Sequence, residues 1–218
     1  MKKKNKQVLV LGISLLVTFV LWTVLVRFVD VQTIGPRETM VGFATMNGYV
    51  HNLIGVNTSL YIITDWLGLV PIAVALGFAI LGIMQLIKRK SLLKVDDSIL
   101  TIGVFYIVVI LIYIFFETVV INYRPILIDG YLEASYPSST TMLVTCVMPT
   151  AVIELKERIK KTLLRRCVIV AIITFSAFMV VTRTLSGVHW ITDIIGGAIL
   201  SAGLVVTYYF RKIQTKKC

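Results

Sequence analysis

The sequence predicts an all-α integral membrane protein, a bundle of six helices, on three observations. Of its 218 residues, 57% are hydrophobic and only 15% are charged, whereas soluble domains average about 25% charged residues. The apolar residues form long runs, and about 20 such residues span the ~30 Å core of a bilayer. The runs lack the alternation of barrel strands, so each is expected to be a helix.

Six apolar runs divide the chain. They cover approximately residues 7–28, 60–87, 98–122, 139–155, 167–185 and 190–210. The first run follows lysines, as in a signal peptide, but it is too long and no small-residue cleavage site follows it, so it is expected to remain as an anchor. Pro71 and Pro149 lie inside runs and are expected to kink their helices. Residues 1–218 contain no repeat or linker and are expected to form a single membrane domain.

The basic residues predict the orientation. The formal net charge of +11 would suggest a nucleic-acid partner in a soluble protein, but 18 of the 22 Lys and Arg residues fall on one side of the six runs. Basic segments stay in the cytoplasm. We therefore expect a multi-pass protein of the cell membrane with both termini cytoplasmic, in contact with membrane lipids and with no nucleic acid. The outer segments are then 29–59, 123–138 and 186–189, and the first of them suits an interfacial amphipathic helix.

Polar residues gather at the outer ends of runs that are far apart in sequence. They are Arg124 after the third run, Ser138 and Ser139 before the fourth, Arg183 at the end of the fifth, and His189 and Asp193 at the start of the sixth. Ionisable residues at this depth are rare and usually functional. His189 and Asp193 are four residues apart, which predicts that they share one helix face.

The chemistry of this group favours phosphoryl transfer. A carboxylate one turn from an imidazole can accept its N–H, fix its tautomer and leave the other nitrogen free to attack. Arginines grip phosphate oxygens, and a helix N-terminus adds unpaired N–H groups and a positive dipole end. A phosphohistidine mechanism follows. A structural interpretation stays open, in which His189 and Asp193 form an interhelical contact and Arg124 and Arg183 anchor lipid headgroups.

At these residues the sequence resembles the type 2 phosphatidic acid phosphatase family, which is related to the vanadium haloperoxidases. The third family motif, S-R-x5-H-x3-D, reads TRTLSGVHWITD at residues 182–193. It matches at Arg183, His189 and Asp193, with Thr182 in place of the serine. The resemblance in motif order and spacing covers approximately residues 60–210, and it implies a six-helix membrane architecture with an outward-facing site.

The other two motifs are divergent. The first, K-x6-R-P, reads ETVVINYRP, which keeps Arg124 but puts Glu117 where the family has lysine. The second, P-S-G-H, reads PSST at residues 137–140, where Ser139 replaces the glycine and Thr140 replaces the histidine. Glu117 precedes Arg124 by seven residues, about two helical turns, so an ion pair between them and a catalytic role for Glu117 both stay open.

The resemblance implies a role for each matching residue. His189 is implied as the nucleophile and Asp193 as its orienter. The residues implied to hold the phosphate are Arg124, Arg183, Ser138 and Ser139. The family histidine at position 140 protonates the leaving group, which threonine cannot do, and the lysine at position 117 binds phosphate. His51 is a candidate substitute acid from the first outer segment or a solvated histidine, while Asp129 and Glu133 are expected to be solvated.

We therefore expect a membrane phosphatase that hydrolyses a lipid phosphate or diphosphate, phosphatidate-like or polyprenyl, at the outer face. The arginines and the helix terminus supply the positive charge, so no metal ion and no cofactor is expected. The alternative is a catalytically impaired protein that binds or transports lipid phosphates. Phosphate release that depends on His189 distinguishes the two.

Overall fold

The structure is a computed structural model that describes residues 2–215, and within this range it is helical apart from loops and isolated β-bridges. The helices are α1 (Lys2–Phe28), α2 (Ala44–Ile54), α3 (Thr58–Leu67), α4 (Leu69–Arg89), α5 (Asp97–Thr118), α6 (Ser139–Arg158), α7 (Thr162–Leu185) and α8 (Ile191–Thr215), with 3₁₀ turns at Pro36–Glu38 and Leu92–Lys94. The prediction of an all-α membrane fold is confirmed. The last residues of the C-terminus, predicted to be cytoplasmic, lie outside the described range.

Five helical stretches are long and apolar enough to cross a membrane. They are Asn5–Phe28, Thr58–Arg89, Asp97–Thr118, Thr162–Leu185 and Ile191–Thr215. The fourth predicted span forms a helix, α6, but is less apolar than the others. The reason lies in its position: α6 packs against α4, α5, α7 and α8, so much of its surface faces protein and needs no lipid-facing apolar residues. The crossing of the membrane by α6 stays a prediction.

The second predicted span, 60–87, consists of two helices separated by Gly68. The Gly68 N–H donates to the carbonyl oxygens of Thr64 (3.0 Å) and Asp65 (3.1 Å), and a Cβ at Gly68 would lie 2.9 Å from the Asp65 oxygen. Pro71 lies in the first turn of α4, where a helix does not need its N–H. The break therefore falls at Gly68, and the expectation of a kink caused by Pro71 is wrong.

Close contact between α1 and α8 supports the end of the bundle at which α6 and α8 begin. Glycines permit it: a Cβ at Gly203 would lie 2.8 Å from Cδ2 of Leu16, and small residues let membrane helices approach closely. Near this end, Phe19 of α1 stacks on Tyr136 with ring centroids 6.2 Å apart. Tyr136 directly precedes the second motif, so α1 supports the segment that starts α6.

The opposite end of the bundle contains a buried ion pair between α6 and α8. Lys212, one of the basic residues near the end of the chain, is only 4% exposed, and its ammonium donates to Oε1 of Glu154. The Tyr208 hydroxyl donates to the same oxygen at 2.5 Å. Buried charges are tolerated when they are paired and hydrogen-bonded, so this cluster joins the two helices whose other ends begin the candidate site.

Two segments that the sequence predicts to be external cover the end where α5 and α7 finish and α6 and α8 begin. Residues 29–57 contain α2, which lies where the sequence suggests an amphipathic helix: Asn47 is buried, whereas Tyr49 and Leu53 are 70% and 74% exposed. Residues 119–138 fold back on themselves, and the Arg124 N–H donates to the Glu133 carbonyl at 3.1 Å. Both segments bring side chains to the polar residues of the motifs.

Candidate active site

His189 and Asp193 are neighbours, but they are joined through a third residue. His189 lies in the turn before α8, and Asp193 lies in the first turn of α8, so the prediction that both share a helix face is wrong. The distance from Nδ1 of His189 to Oδ2 of Asp193 is 4.0 Å, too long for a hydrogen bond. Ser135 lies between them, with Oγ 2.9 Å from Nδ1 and 2.5 Å from Oδ2. All three side chains are buried.

The carboxylate of Asp193 accepts further hydrogen bonds from neutral donors. The Trp190 N–H donates to Oδ2 at 3.0 Å, and Nδ2 of Asn122 donates to Oδ1 at 3.4 Å. An acidic residue at the third helical position that receives the N-cap N–H forms half of a capping box. Asp193 therefore helps to start α8 as well as to hold Ser135.

The start of α8 is also fixed by α2. Asn47 is fully buried, accepts the Thr192 N–H on Oδ1 at 3.3 Å and donates from Nδ2 to the Thr192 hydroxyl at 3.0 Å. The turn just before His189 is held by the segment between α2 and α3. At this turn Gly187 has a φ of +67° and a Cβ there would overlap the backbone of Gly55. Two backbones thus meet beside His189 without a side chain between them.

Arg183 is the most deeply buried arginine of the site, with 1% of its surface exposed. Its Nη1 donates to the Thr64 hydroxyl at 3.2 Å, and its Nη2 lies 3.3 Å from Nε2 of His189. Its Nε has no hydrogen-bond partner. Within the described residues no carboxylate lies at ion-pair distance from this guanidinium. A buried cation with no carboxylate at ion-pair distance therefore faces the nitrogen predicted to attack.

Arg124 is buried at the same site but is partly neutralised. Its Nε lies 3.1 Å from Oε2 of Glu133, and its Nη1 is buried without a hydrogen-bond partner. The ion pair considered between Glu117 and Arg124 does not form within the described residues, because α5 ends at Thr118 and no helix joins the two residues. Glu133, expected to be solvated, takes that place. Glu117 is exposed and lines a small cleft with Ser135 and with the start of α6.

Tyr61 connects the two arginines. The guanidinium carbon of Arg183 lies 5.1 Å from the centroid of the Tyr61 ring, and that of Arg124 lies 5.9 Å away. Cations within about 6 Å of an aromatic centroid are attracted by the ring quadrupole. One ring on α3 thus keeps both guanidinium groups together, although they come from different segments.

The start of α6 lies against Asp193. Ser138 is fully buried, its N–H donates to the Asp193 carbonyl at 3.0 Å, and its Oγ accepts the Thr141 N–H at 3.5 Å. Ser138 is therefore the N-cap of α6. Ser139 and Thr140 are the first two residues of the helix and are half-buried. The buried Thr141 hydroxyl has no hydrogen-bond partner within the described part of the chain.

His51 lies on α2, on the other side of the turn that carries His189. Its ring packs against Trp190 with centroids 5.4 Å apart, and its Nδ1 is buried without a hydrogen-bond partner. Burial lowers the pKa of His51. It lines a small cleft with Asn47, Gly187 and His189, so it is close to the site but is placed beside Trp190 and not beside the arginines.

The surroundings of His189 favour a neutral ring. Burial lowers its pKa well below the ordinary value, and the charges of Arg124 and Arg183 lower it further. A neutral imidazole keeps one nitrogen lone pair available. Because Nη2 of Arg183 can only donate, Nε2 of His189 is the nitrogen that accepts, and the proton resides on Nδ1.

The residues that the motifs do not predict come mostly from the outer segments and α3. They are Asn47, Tyr61, Thr64, Asn122 and Ser135. Asn122 and Ser135 lie within four residues of a motif position, which is a weak signal, because solvated loop residues look the same in sequence. Asn47, Tyr61 and Thr64 carry no local signal, since only folding brings α2 and α3 to the other helices.

Together these groups form a candidate anion site beside the His189 ring. Buried donors are nearly always paired, yet Nη1 of Arg124 and Nε of Arg183 have no partner in the described structure. Both guanidinium groups lie on Tyr61, and Arg183 contacts Nε2 of His189. A tetrahedral oxyanion with several oxygens, such as a phosphoryl group, suits such donors.

Comparison with known proteins shows the family to which the chain belongs. The chain has the fold of a crystal structure of a transmembrane PAP2-type phosphatidylglycerolphosphate phosphatase from Bacillus subtilis, with a TM-score of 0.55, 20% sequence identity, and coverage of 94% of this chain and 96% of that chain. No curated protein sequence matches the chain significantly. The model of the PAP2 superfamily matches residues 73–216, a range that contains all three motifs. Because this match covers more than half of the chain, the protein belongs to the PAP2 superfamily.

Proposed function

We propose that the protein is a membrane phosphohydrolase that cleaves a lipid phosphate or diphosphate through a phosphohistidine at His189. Membership of the superfamily supports a lipid phosphatase in general. The observation that carries the finer proposal is the contact between Nε2 of His189 and the buried guanidinium of Arg183, which has an unpaired Nε. This contact would put the phosphoryl group beside its nucleophile.

The reaction has two steps. Nε2 of His189 donates its lone pair to phosphorus, the bond from phosphorus to the leaving oxygen breaks, and that oxygen keeps the electron pair. Arg124 and Arg183 hold the non-bridging oxygens, and the start of α6 at Ser138 and Ser139 adds its positive dipole end. Water then attacks phosphorus and releases a proton to solvent, the bond between phosphorus and nitrogen breaks, and its electron pair returns to Nε2; the released leaving oxygen takes up a proton from solvent.

The threonine at position 140 bears on the leaving group. A lipid alcohol leaves as a strongly basic alkoxide, and a general acid contributes roughly 10²–10⁴-fold to such a step. A lipid diphosphate instead releases a phosphate monoester, whose second pKa is about 6, so it departs with little protonation. We therefore propose that Thr140 biases the enzyme toward lipid diphosphates and away from monoesters of the phosphatidate or phosphatidylglycerolphosphate type.

Phosphate release from a panel of lipid phosphates tests this function. Purified protein is assayed with matched mono- and diphosphates on one lipid chain, and His189→Ala is expected to abolish both turnover and an acid-labile, base-stable phosphoenzyme. Thr140→His is expected to raise kcat/KM for the monophosphate selectively. A ratio that stays fixed while both rates rise would contradict the proposed role of Thr140, and unchanged turnover in His189→Ala would contradict the mechanism.

A second candidate is a protein that binds or transports lipid phosphates without cleaving them. Three features favour it: Thr140 and Glu117 replace residues that the family uses, and Glu133 pairs with Arg124. Saturable binding of a lipid phosphate with no phosphate release, in wild type and in Thr140→His, would support this candidate. Release that depends on His189 would exclude it.

We also propose that the site faces the outside of the cell membrane and that both termini are cytoplasmic. The distribution of basic residues supports this orientation. With the other two cysteines replaced by serine, Cys218 is expected to resist a membrane-impermeant thiol reagent in intact cells and to react after permeabilisation. Labelling of Cys218 in intact cells would contradict the proposed orientation.

A further inference from the structure

Ser135 lies between the Asp193 carboxylate and the His189 ring and contacts both. We infer that Ser135 is a positioning residue through which Asp193 orients the His189 ring, in a relay from Asp193 to Ser135 to His189. The inference rests on the proposed function and adds a residue to it. Ser135 lies outside the three family motifs, two residues before the second one.

The hydrogen-bond directions follow from the donors present. Nη2 of Arg183, 3.3 Å from Nε2 of His189, has no acceptor capacity, so Nε2 must accept and Nδ1 carries the proton. That N–H faces Oγ of Ser135 at 2.9 Å, so the serine oxygen accepts it. The single hydroxyl proton then points to Oδ2 of Asp193 at 2.5 Å. In this series of hydrogen bonds each donor meets an acceptor. A proton on Nε2 of His189 would instead place two donors, Nε2 and Nη2 of Arg183, against each other.

The fold holds Ser135 rigidly in this place. Its backbone N–H donates to the carbonyl of Asn122 at 2.9 Å, and the side chain of Asn122 reaches the second oxygen of Asp193 at 3.4 Å. Ser135 is 2% exposed. Its carbonyl oxygen lies 3.2 Å from Nδ1 of His189 and is the weaker alternative acceptor. The segment 119–138 therefore supplies both the hydroxyl and its support.

The relay matters when the ring becomes charged. After Nε2 has bonded to phosphorus and the leaving oxygen has taken its electron pair, the ring still carries its Nδ1 proton and is cationic. The serine dipole, itself polarised by Asp193, stabilises this charge. Because the direct distance to Asp193 is 4.0 Å, the carboxylate cannot make this hydrogen bond itself. Loss of the hydroxyl should therefore lower kcat while KM stays close to wild type, since Ser135 does not touch the phosphoryl group.

A double-mutant cycle tests the relay. Ser135→Ala is expected to lower kcat about 10- to 150-fold, the worth of one hydrogen bond to a charged group. Asp193→Asn should cost at least as much, and the double variant should be little worse than Asp193→Asn alone, because residues that act through one another are not additive. Ser135→Thr keeps the hydroxyl and is expected to recover most of the loss. Ser201→Ala removes an equally buried hydroxyl of α8 away from the site and is expected to leave kcat unchanged.

Additive effects of Ser135→Ala and Asp193→Asn would overturn the relay, as would a Ser135→Ala variant with wild-type kcat.

A second readout does not need turnover. The chain has only two histidines, so ¹⁵N-histidine NMR resolves the ring of His189, with His51→Gln used for assignment. The relay requires the proton on Nδ1, and a proton on Nε2 overturns it. If the protein releases no phosphate at all, the proposed function fails, while the NMR result still decides the relay.

Discussion

Replacement of Arg183 gives the sharpest prediction, because a lysine and a methionine at this position separate the charge from the shape of the guanidinium. The side chain is 1% exposed, with Nη1 on Thr64, Nη2 beside Nε2 of His189 and Nε unpaired. Nε and Nη2 form one edge of the guanidinium, so two N–H groups are available for two phosphoryl oxygens. Lysine keeps the charge but cannot present this fork.

The magnitude follows from counting these two hydrogen bonds. A hydrogen bond to a charged group contributes about 1.5–3 kcal/mol. Arg183→Met loses both, about 3–6 kcal/mol, which is a fall in kcat/KM of roughly 10²–10⁴-fold. Arg183→Lys retains one donor and should fall by roughly 10–10²-fold. The folded protein should not be strongly destabilised by Arg183→Met, because the substitution removes a buried cation that forms no ion pair within the described residues.

The assay is phosphate release in detergent, with thermal unfolding measured on the same samples. The matched control is Arg27→Met, which removes an exposed arginine that reaches only the carbonyl of Ile121 and is expected to keep wild-type activity. Equal losses of kcat/KM in Arg183→Lys and Arg183→Met would show that the paired N–H groups of the guanidinium edge are not what binds phosphate. Wild-type kcat/KM in both variants would contradict the assignment of Arg183 to the phosphate-binding site.

Two further predictions concern pH and packing. Because burial and two neighbouring arginines lower the pKa of His189, its neutral, nucleophilic form should persist as pH falls, and the acid limb of kcat/KM should lie below about 6.5. Arg124→Gln removes one of the like charges and should move that limb to higher pH; an unmoved or lowered limb would contradict the assignment to His189. A Cβ at Gly196 would lie 2.6 Å from the buried Tyr136 ring, so Gly196→Ala should lower stability by about 1–3 kcal/mol through overpacking. Gly77→Ala, where no atom lies within 4 Å, is the control, and equal melting temperatures of the two variants in detergent would refute the packing argument.

The sequence by itself determined the class of the protein and led to the candidate site residues. Apolar runs of membrane length are a local property of the chain, because every backbone group in lipid must be satisfied within its own helix. The motif at residues 182–193 is also local, since it joins the end of α7 to the start of α8. These features led to the all-α membrane fold and to the family, both of which are confirmed.

The tertiary structure decided which side chains meet. Ser135 and His189 are 54 residues apart in sequence, and their contact depends on the path of segment 119–138, which no periodicity encodes. The same path gives Arg124 the partner Glu133 in place of Glu117. Tyr61 reaches both arginines because α3 ends at Gly68 and packs on α7. Contacts between loops and helix ends depend on the whole packed bundle, and for this reason the sequence predicted His189 as a candidate nucleophile but not its contact with Ser135.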